Sequence, residues 1–143
     1  MQHKTPLQTL QEWYAQQPQL FKKSPRNHPG PDNYKNTSGN SFHSVKRIEL
    51  TGKFGEKTAF DVRYFEVQPK GYTSYETHKH EHVIIGIRGS GTLIAGSRTL
   101  DLKVNDIAYI APHQPHQIKN NTDRPFGFFC IVDHERDKPR VLD

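Results

Sequence analysis

Five of the nine histidines in this chain fall in two short stretches. The first stretch, residues 71–89, reads GYTSYETHKHEHVIIGIRG, and the second, residues 112–116, reads PHQPH. Neutral imidazole is a common ligand of first-row transition metals, and several imidazoles together can hold one ion. The clustering therefore predicts a metal site as the chemistry of this protein.

Strand geometry limits how the first stretch could bind an ion. Glu76, His78, His80 and His82 occupy alternate positions, so on a straight strand their side chains would all face one side. They could not then share one metal, because positions four apart lie ~13 Å apart, whereas each donor sits roughly 2 Å from its ion. A turn must interrupt the series, leaving ligands on one strand and a further ligand on the next.

These residues resemble the two sequence motifs of the cupin superfamily, G-x-H-x-H-x-E-x-G and G-x-P-x-G-x-H-x-N with short spacers. The block Gly71–Gly89 is similar to the first motif, and the block Asn105–Asn120, with its Pro115-His116 pair, is similar to the second. The resemblance covers about residues 58–132. It implies a small all-β protein, a double-stranded β-helix or jelly-roll barrel, with an ion in its mouth.

The resemblance also implies a set of metal ligands. An ungapped alignment of the first motif places Glu76 on the family's first ligand histidine, His78 on the second and His82 on the third ligand. His116 matches the histidine of the second motif. The usual three histidines and one glutamate are thus implied, with the carboxylate moved to the first position and His80 in a turn.

A second register remains compatible with the sequence. It takes His78 and His80 as the adjacent pair, with His82 and His116 completing four histidines and Glu76 outside the ligand set. The ungapped register is favoured because it needs no insertion in the motif. Alternate histidines could also be ordinary polar surface, but His116 arrives independently at the expected distance in a separate turn.

Histidine and glutamate ligands suit one divalent ion of iron, manganese, nickel, cobalt, copper or zinc. Coordination positions left open could polarise an anionic chelating substrate, or bind dioxygen if the metal is iron. In the cupin arrangement the strand at 126–132 would line this pocket with Phe128 and Cys130, since alternate residues share a face. Phe128 would be an apolar wall, and Cys130 either an oxidisable thiol or a small buried filler. Further candidates for the pocket are Tyr64, Glu66, Tyr72, Arg88 and Tyr109.

The elements that position these residues follow an N-terminal arm, residues 1–41. A proline and an apolar stripe predict a short helix in this arm, from Pro6 to about Gln17, followed by a loop rich in proline and glycine. The barrel domain is predicted at 42–143, where short β-branched and aromatic runs alternate with turn residues. The predicted strands are 43–51, 58–68, 72–78, 81–88, 91–95, 98–102, 106–110, 116–119 and 126–132. Asn105, in a turn, is expected in a left-handed conformation.

Charge and cysteine content restrict the partners. The net charge is +5, but the basic residues are scattered along the chain and form no stripe. This distribution does not predict nucleic-acid binding, whereas an anionic small molecule suits the charge. A single cysteine excludes an intramolecular disulfide. The sequence has no apolar run of membrane-spanning length and no signal-peptide core, so we expect no membrane association and a cytoplasmic location.

The sequence thus predicts a small metal-dependent enzyme, foremost an oxygenase acting on a small anionic or chelating substrate. Isomerase, decarboxylase and lyase activities also occur on cupin barrels, and the sequence does not distinguish them from an oxygenase. A different class, a non-catalytic module that binds or senses a small molecule, is the alternative. Because cupins often dimerise, a homodimer is also expected.

Overall fold

The computed structural model describes residues 32–34 and 41–142, and these residues form strands and turns without a helix. The helix predicted from Pro6 to Gln17 lies outside the described residues. The strands are, in chain order, β1 (Asp32–Asn33), β2 (His43–Thr51), β3 (Phe60–Tyr72), β4 (Glu76–Thr77), β5 (His82–Arg88), β6 (Ser90–Ala95), β7 (Arg98–Lys103), β8 (Ile107–Ile110), β9 (His116–Lys119), β10 (Phe126–Asp133) and β11 (Arg140–Val141).

All strand pairs are antiparallel, and the strands form a nearly closed barrel. The main path runs β11-β4-β9-β3-β10-β5-β8, while β1 and β2 extend from β3, and β6 and β7 extend from β9. The predicted all-β barrel is therefore confirmed. In the described part of the chain, no helix is long and apolar enough to span a membrane.

The long strand β3 differs from the prediction, which ended one strand at residue 68 and began the next at 72. Lys70 takes a positive φ of 66° and the pairing with β2 shifts register between Val67 and Tyr72, so the strand bends there and then continues. A β-carbon at Gly71 would lie 2.7 Å from the carbonyl oxygen of His43, so this close approach of two strands requires glycine. The left-handed conformation predicted at Asn105 is confirmed, with φ at 74°.

The core fills the interior of the barrel with alternate residues of its strands. On β10, Phe126, Phe128, Cys130 and Val132 point inward and are buried, whereas Phe129 and Ile131 face outward. Burying one such apolar side chain contributes roughly 1.5–3 kcal/mol relative to leaving it exposed. The predicted alternation of this strand is thus confirmed.

A buried carboxylate anchors the C-terminal segment to the barrel. Asp61 on β3 is fully buried and accepts hydrogen bonds from Arg136 Nη1 and His134 Nδ1, both at 2.7 Å. Burial acts to raise the pKa of Asp61, but these hydrogen bonds outweigh it and hold the pKa below its ordinary 3.8. The interaction places the segment after β10 across one end of the barrel, where it reaches the site described below.

Replacing Asp61 with asparagine should destabilise the fold by about 2 kcal/mol at pH 7, because the two donors lose a charged acceptor. The native pKa is below the unfolded one, so this contribution is present above pH ~4 and is lost as the pH falls through the lowered value. Urea unfolding of wild type and Asp61→Asn at pH 7 and pH 3 measures the difference. The exposed Asp101→Asn variant is the control. If wild type and Asp61→Asn differ in their free energy of unfolding by the same amount at both pH values, Asp61 does not stabilise the fold through its charge.

Candidate metal centre

Three buried histidines bring their imidazoles together inside one end of the barrel. The Nε2 atom of His78 lies 2.6 Å from Nε2 of His82 and 3.2 Å from Nε2 of His116. Possible ligand atoms of the three residues all lie within 4.8 Å of one another. The two histidine-rich stretches of the sequence therefore meet at one point, as predicted.

Short elements produce this convergence. The two-residue strand β4 pairs with the start of β9, so that Glu76 lies opposite His116. The chain bends at Lys79 and His80 and enters β5 at His82. This bend is the interruption that the spacing of the histidines required, because it returns His82 to the neighbourhood of His78.

Each of the three imidazoles is oriented by a hydrogen bond at its other nitrogen. Nδ1 of His78 lies 2.7 Å from the carbonyl oxygen of His80, and Nδ1 of His116 lies 2.8 Å from that of Gln114. A carbonyl only accepts, so both Nδ1 atoms carry the proton. Nδ1 of His82 lies 2.9 Å from Cys130 Sγ, which can accept in the same way. The three Nε2 lone pairs are thereby left to face each other.

This arrangement fits a transition-metal ion. Lone pairs that face each other at 2.6–3.2 Å repel, and a cation between them removes the repulsion. Nitrogen ligands at ~2.0–2.1 Å from one ion lie roughly 3 Å apart, close to the observed separations. Burial, followed by repulsion from His80 and His116, lowers the pKa of His78 to about 4, and burial likewise lowers that of His82. Both rings are therefore neutral, and able to bind a metal, at pH 7.

Glu76 borders the three histidines. Its Oε1 atom lies 4.0 Å from His116 Nε2, while Oε2 accepts a hydrogen bond from Ser74 Oγ at 2.7 Å. The hydroxyl of Tyr34 lies 3.2 Å from the same Ser74 oxygen. The cluster of possible ligands in the described residues holds only the three histidines, and Glu76 lies beside it as the carboxylate that would be the predicted fourth ligand.

His80 has a different environment. Its ring stacks on that of His78, with centroids 3.8 Å apart, and its Nδ1 lies 2.8 Å from Asp137 Oδ1. Asp137 also accepts hydrogen bonds from the backbone N–H groups of Lys79 and His80, at 2.8 and 3.0 Å. The cluster of possible ligands in the described residues does not include His80. Asp137 lies 57 residues away from His80 along the chain, and no sequence pattern pointed to it.

Two of the three histidines, His82 and His116, line a cavity of about 460 Å³, and His80 lines it as well. Phe128 and Cys130 are among its lining residues. Its apolar lining also includes Phe65, Ile84 and Ile118, and its charged lining is mainly basic: Arg47, Arg63, Arg136 and Lys138 oppose the single carboxylate of Glu76. This composition suits an anionic molecule with an apolar part.

The further candidates from the sequence, Tyr64, Glu66, Tyr72, Arg88 and Tyr109, do not line this cavity. On β3, Arg63 and Phe65 face inward, so Tyr64 and Glu66 face outward. There the Tyr64 hydroxyl and Arg88 Nη1 donate to Glu66 Oε2 at 2.8 and 3.0 Å. His113 is exposed, as expected for a loop residue.

Arg63 and Cys130 form a second contact behind the metal ligands. Arg63 Nη2 donates to Cys130 Sγ at 3.3 Å, and the same sulfur lies 2.9 Å from His82 Nδ1. Burial raises the pKa of the Cys130 thiol, and Arg63 partly opposes that shift. Sequence reasoning did not identify Arg63, because only the pairing of β3 with β10 places it opposite Cys130.

Comparisons with known proteins agree with this fold and site. The family described as Cupin domain matches residues 63–132. The chain is 34% identical over 115 residues to 1-methylthio-D-xylulose 5-phosphate methylsulfurylase of Rhodospirillum rubrum, covering 79% of this chain and 72% of that protein.

Two solved structures are similar along most of their length. The crystal structure of a cupin-2 domain from Rhodospirillum rubrum has 34% identity and a TM-score of 0.72, covering 80% of this chain and 77% of that one. A cupin 2 domain-containing protein from Halorhodospira halophila has 40% identity and a TM-score of 0.67, covering 78% and 77%. Fold, histidine placement and sequence similarity thus lead to one conclusion: this chain belongs to the cupin superfamily.

Proposed function

We propose that this protein is a metal-dependent cupin enzyme that acts on a small phosphorylated ketose, with a methylthio-substituted ketose phosphate as the first candidate. The observation that carries the proposal is the convergence of three buried imidazoles beside a cavity whose charged lining is mainly basic. Metal chemistry and anion recognition are thereby combined in one site.

His78, His82 and His116 would hold the divalent ion, with Glu76 as the fourth ligand. A bound divalent ion supplies Lewis acidity toward a carbonyl or hydroxyl oxygen of the substrate. The hydrogen bonds at the three Nδ1 atoms keep the ligands oriented. The apolar side chains of the cavity lining, Phe128 among them, would limit the access of water to the ion.

The substrate class is supported by the charge of the cavity and by the similar Rhodospirillum protein. That protein is named for a ketose phosphate that carries a methylthio group, and it is 34% identical to this chain. Basic residues suit the phosphate, apolar ones suit the methylthio group, and the metal suits the carbonyl and hydroxyl oxygens.

The oxygenase activity predicted from the sequence is a narrower interpretation of the same site and stays a prediction. Three histidines and a carboxylate support either Lewis-acid or oxygen chemistry. The charge of the cavity favours the ketose phosphate without deciding whether oxygen takes part, so oxygen consumption has to be measured in the same assay.

The proposed homodimer is supported by the outer face of the sheet. Two apolar rows cross neighbouring strands there: Ile48, Tyr64, Phe129, Ile85 and Ile107 in one, and Val62, Ile131, Val83 and Tyr109 in the other. Ile107 and Tyr109 on β8 are 70% and 62% exposed, and β8 lies at the end of the main strand path. A second copy of the chain could cover this face.

Metal binding is tested by titrating metal-free protein with Zn²⁺ by calorimetry. Wild type should bind about one ion per chain, and His116→Ala should weaken binding by roughly 100-fold or more because it removes a ligand. His113→Ala is the matched control, since this neighbouring histidine is exposed and outside the cluster. Unchanged affinity in His116→Ala would refute the metal site.

The same titration distinguishes the two predicted fourth ligands. Glu76→Gln should weaken binding if Glu76 completes the set, whereas His80→Gln should have only a small effect. The opposite pattern would support the four-histidine register.

Activity is tested by incubating metal-loaded protein with 1-methylthio-D-xylulose 5-phosphate, with and without a small thiol. The methyl resonance of the methylthio group, followed by NMR, should shift in wild type and stay unchanged in His116→Ala. An oxygen electrode in the same vessel distinguishes the two chemistries: turnover without uptake would support Lewis-acid chemistry, and stoichiometric uptake would support the oxygenase. No turnover with any metal, together with tight retention of the unaltered ligand, would favour a binding module.

The dimer is tested by light scattering after size-exclusion chromatography. Wild type should have twice the chain mass of 16.5 kDa. The double variant Ile107→Glu/Tyr109→Lys should have the mass of a single chain, because it places charges in the apolar rows. Val141→Lys is the control, since this exposed apolar residue lies on β11, away from that face. A monomeric wild type would refute the dimer.

A further inference from the structure

We propose that Arg63 is the anion receptor of the cavity and binds the phosphate group of the substrate beside the metal centre. This inference rests on the proposed function for the identity of the substrate. The residue that binds the phosphate is assigned from the burial and charge of the cavity.

Arg63 is a buried cation that faces the cavity. It lies in the middle of β3, on the inward face, and only 9% of the residue is exposed. Its guanidinium carbon lies 5.0 Å from the ring centroid of Phe65, which also lines the cavity. The contact with the ring holds the planar group in place without neutralising its charge.

The described residues provide no carboxylate within salt-bridge distance of Arg63. The other arginines near it are paired: Arg47 with Glu49 at 3.4 Å and Arg136 with Asp61 at 2.7 Å. Among the residues that the structure describes, Arg63 makes one polar contact, from Nη2 to Cys130 Sγ, and its buried Nε has no hydrogen-bond partner. A buried, uncompensated charge is costly, and an anionic ligand would remove that cost.

The position of Arg63 relative to the metal centre suits a short substrate. The Cys130 sulfur contacts both Arg63 Nη2, at 3.3 Å, and His82 Nδ1, at 2.9 Å, so a single atom separates the guanidinium from a metal ligand. A ketose phosphate could place its oxygens toward the metal and its phosphate on Arg63. A guanidinium can donate two parallel hydrogen bonds to phosphate oxygens, which gives orientation as well as affinity.

Calorimetry on the zinc-loaded protein tests the assignment with two probes, D-xylulose 5-phosphate and D-xylulose. Wild type should bind the phosphate ester roughly 10–100-fold more tightly than the neutral sugar, and inorganic phosphate should compete. Arg63→Met should lose this preference, and Arg63→Lys should keep part of it. The control is Arg88→Met, which removes an exposed arginine outside the cavity and should bind like wild type.

Zn²⁺ titration of each variant separates the loss of the anion receptor from damage to the metal site. The proposal is overturned if Arg63→Met retains the preference for the phosphate ester, or if wild type has none. It is also overturned if wild type shows thiolate absorbance at 240 nm and pH 7 that disappears in Arg63→Met without a change in phosphate binding. Cys130 would then be the counter-ion of Arg63. Should Arg63→Met not fold, Arg63→Lys replaces it in the comparison: its preference for the phosphate ester should be smaller than that of wild type, and an equal preference would overturn the proposal.

These outcomes are independent of the activity assay. If the methylthio ketose phosphate is not turned over but the preference for phosphate depends on Arg63, the proposed function fails and the receptor stands. If turnover occurs and the preference survives in Arg63→Met, the function stands and the receptor fails.

Discussion

The site depends on the orientation of three imidazole rings by acceptors at their Nδ1 atoms. Two backbone carbonyls and one sulfur fix the protonated nitrogen of His78, His116 and His82, so that the three Nε2 lone pairs face one another. Without these acceptors each ring could rotate or change tautomer. The rings would then move apart, because their Nε2 lone pairs repel each other. The barrel therefore maintains an arrangement that is unfavourable by itself and favourable around a cation.

The surrounding elements maintain that arrangement from two directions. The backbone N–H of His113 donates to the carbonyl of His78 at 2.7 Å, which ties the second histidine-rich turn to the first. Asp137 accepts from the backbone of the first turn, and the segment carrying Asp137 is anchored through the bond from Arg136 to Asp61. A buried ion pair at one side of the barrel thus helps to position the turn that carries the metal ligands.

Local patterns in the sequence predicted the barrel, because strand alternation and turn residues act over a few positions. The meeting of the two histidine-rich stretches was implied instead by the resemblance to the cupin motifs, since His82 and His116 are far apart along the chain. Phe128 and Cys130 were predicted to line the pocket for the same reason. The environments of Arg63 and His80 depend instead on pairing between distant segments: Arg63 lies opposite Cys130, 67 residues later, and His80 meets Asp137, 57 residues later. A single sequence does not show which residues of two distant segments lie opposite each other, so these contacts could not be predicted.

The chemistry of the cavity follows from having two positive groups in one enclosed space. A divalent ion on the histidines and the guanidinium of Arg63 would repel each other, and the low dielectric of the interior strengthens that repulsion. An anion that contacts both relieves the repulsion, so metal and anion should bind cooperatively, each raising the affinity of the other by the same factor. A neutral ligand of similar shape leaves the repulsion in place. Specificity for a charged substrate is therefore a consequence of the electrostatics of the cavity as much as of its shape.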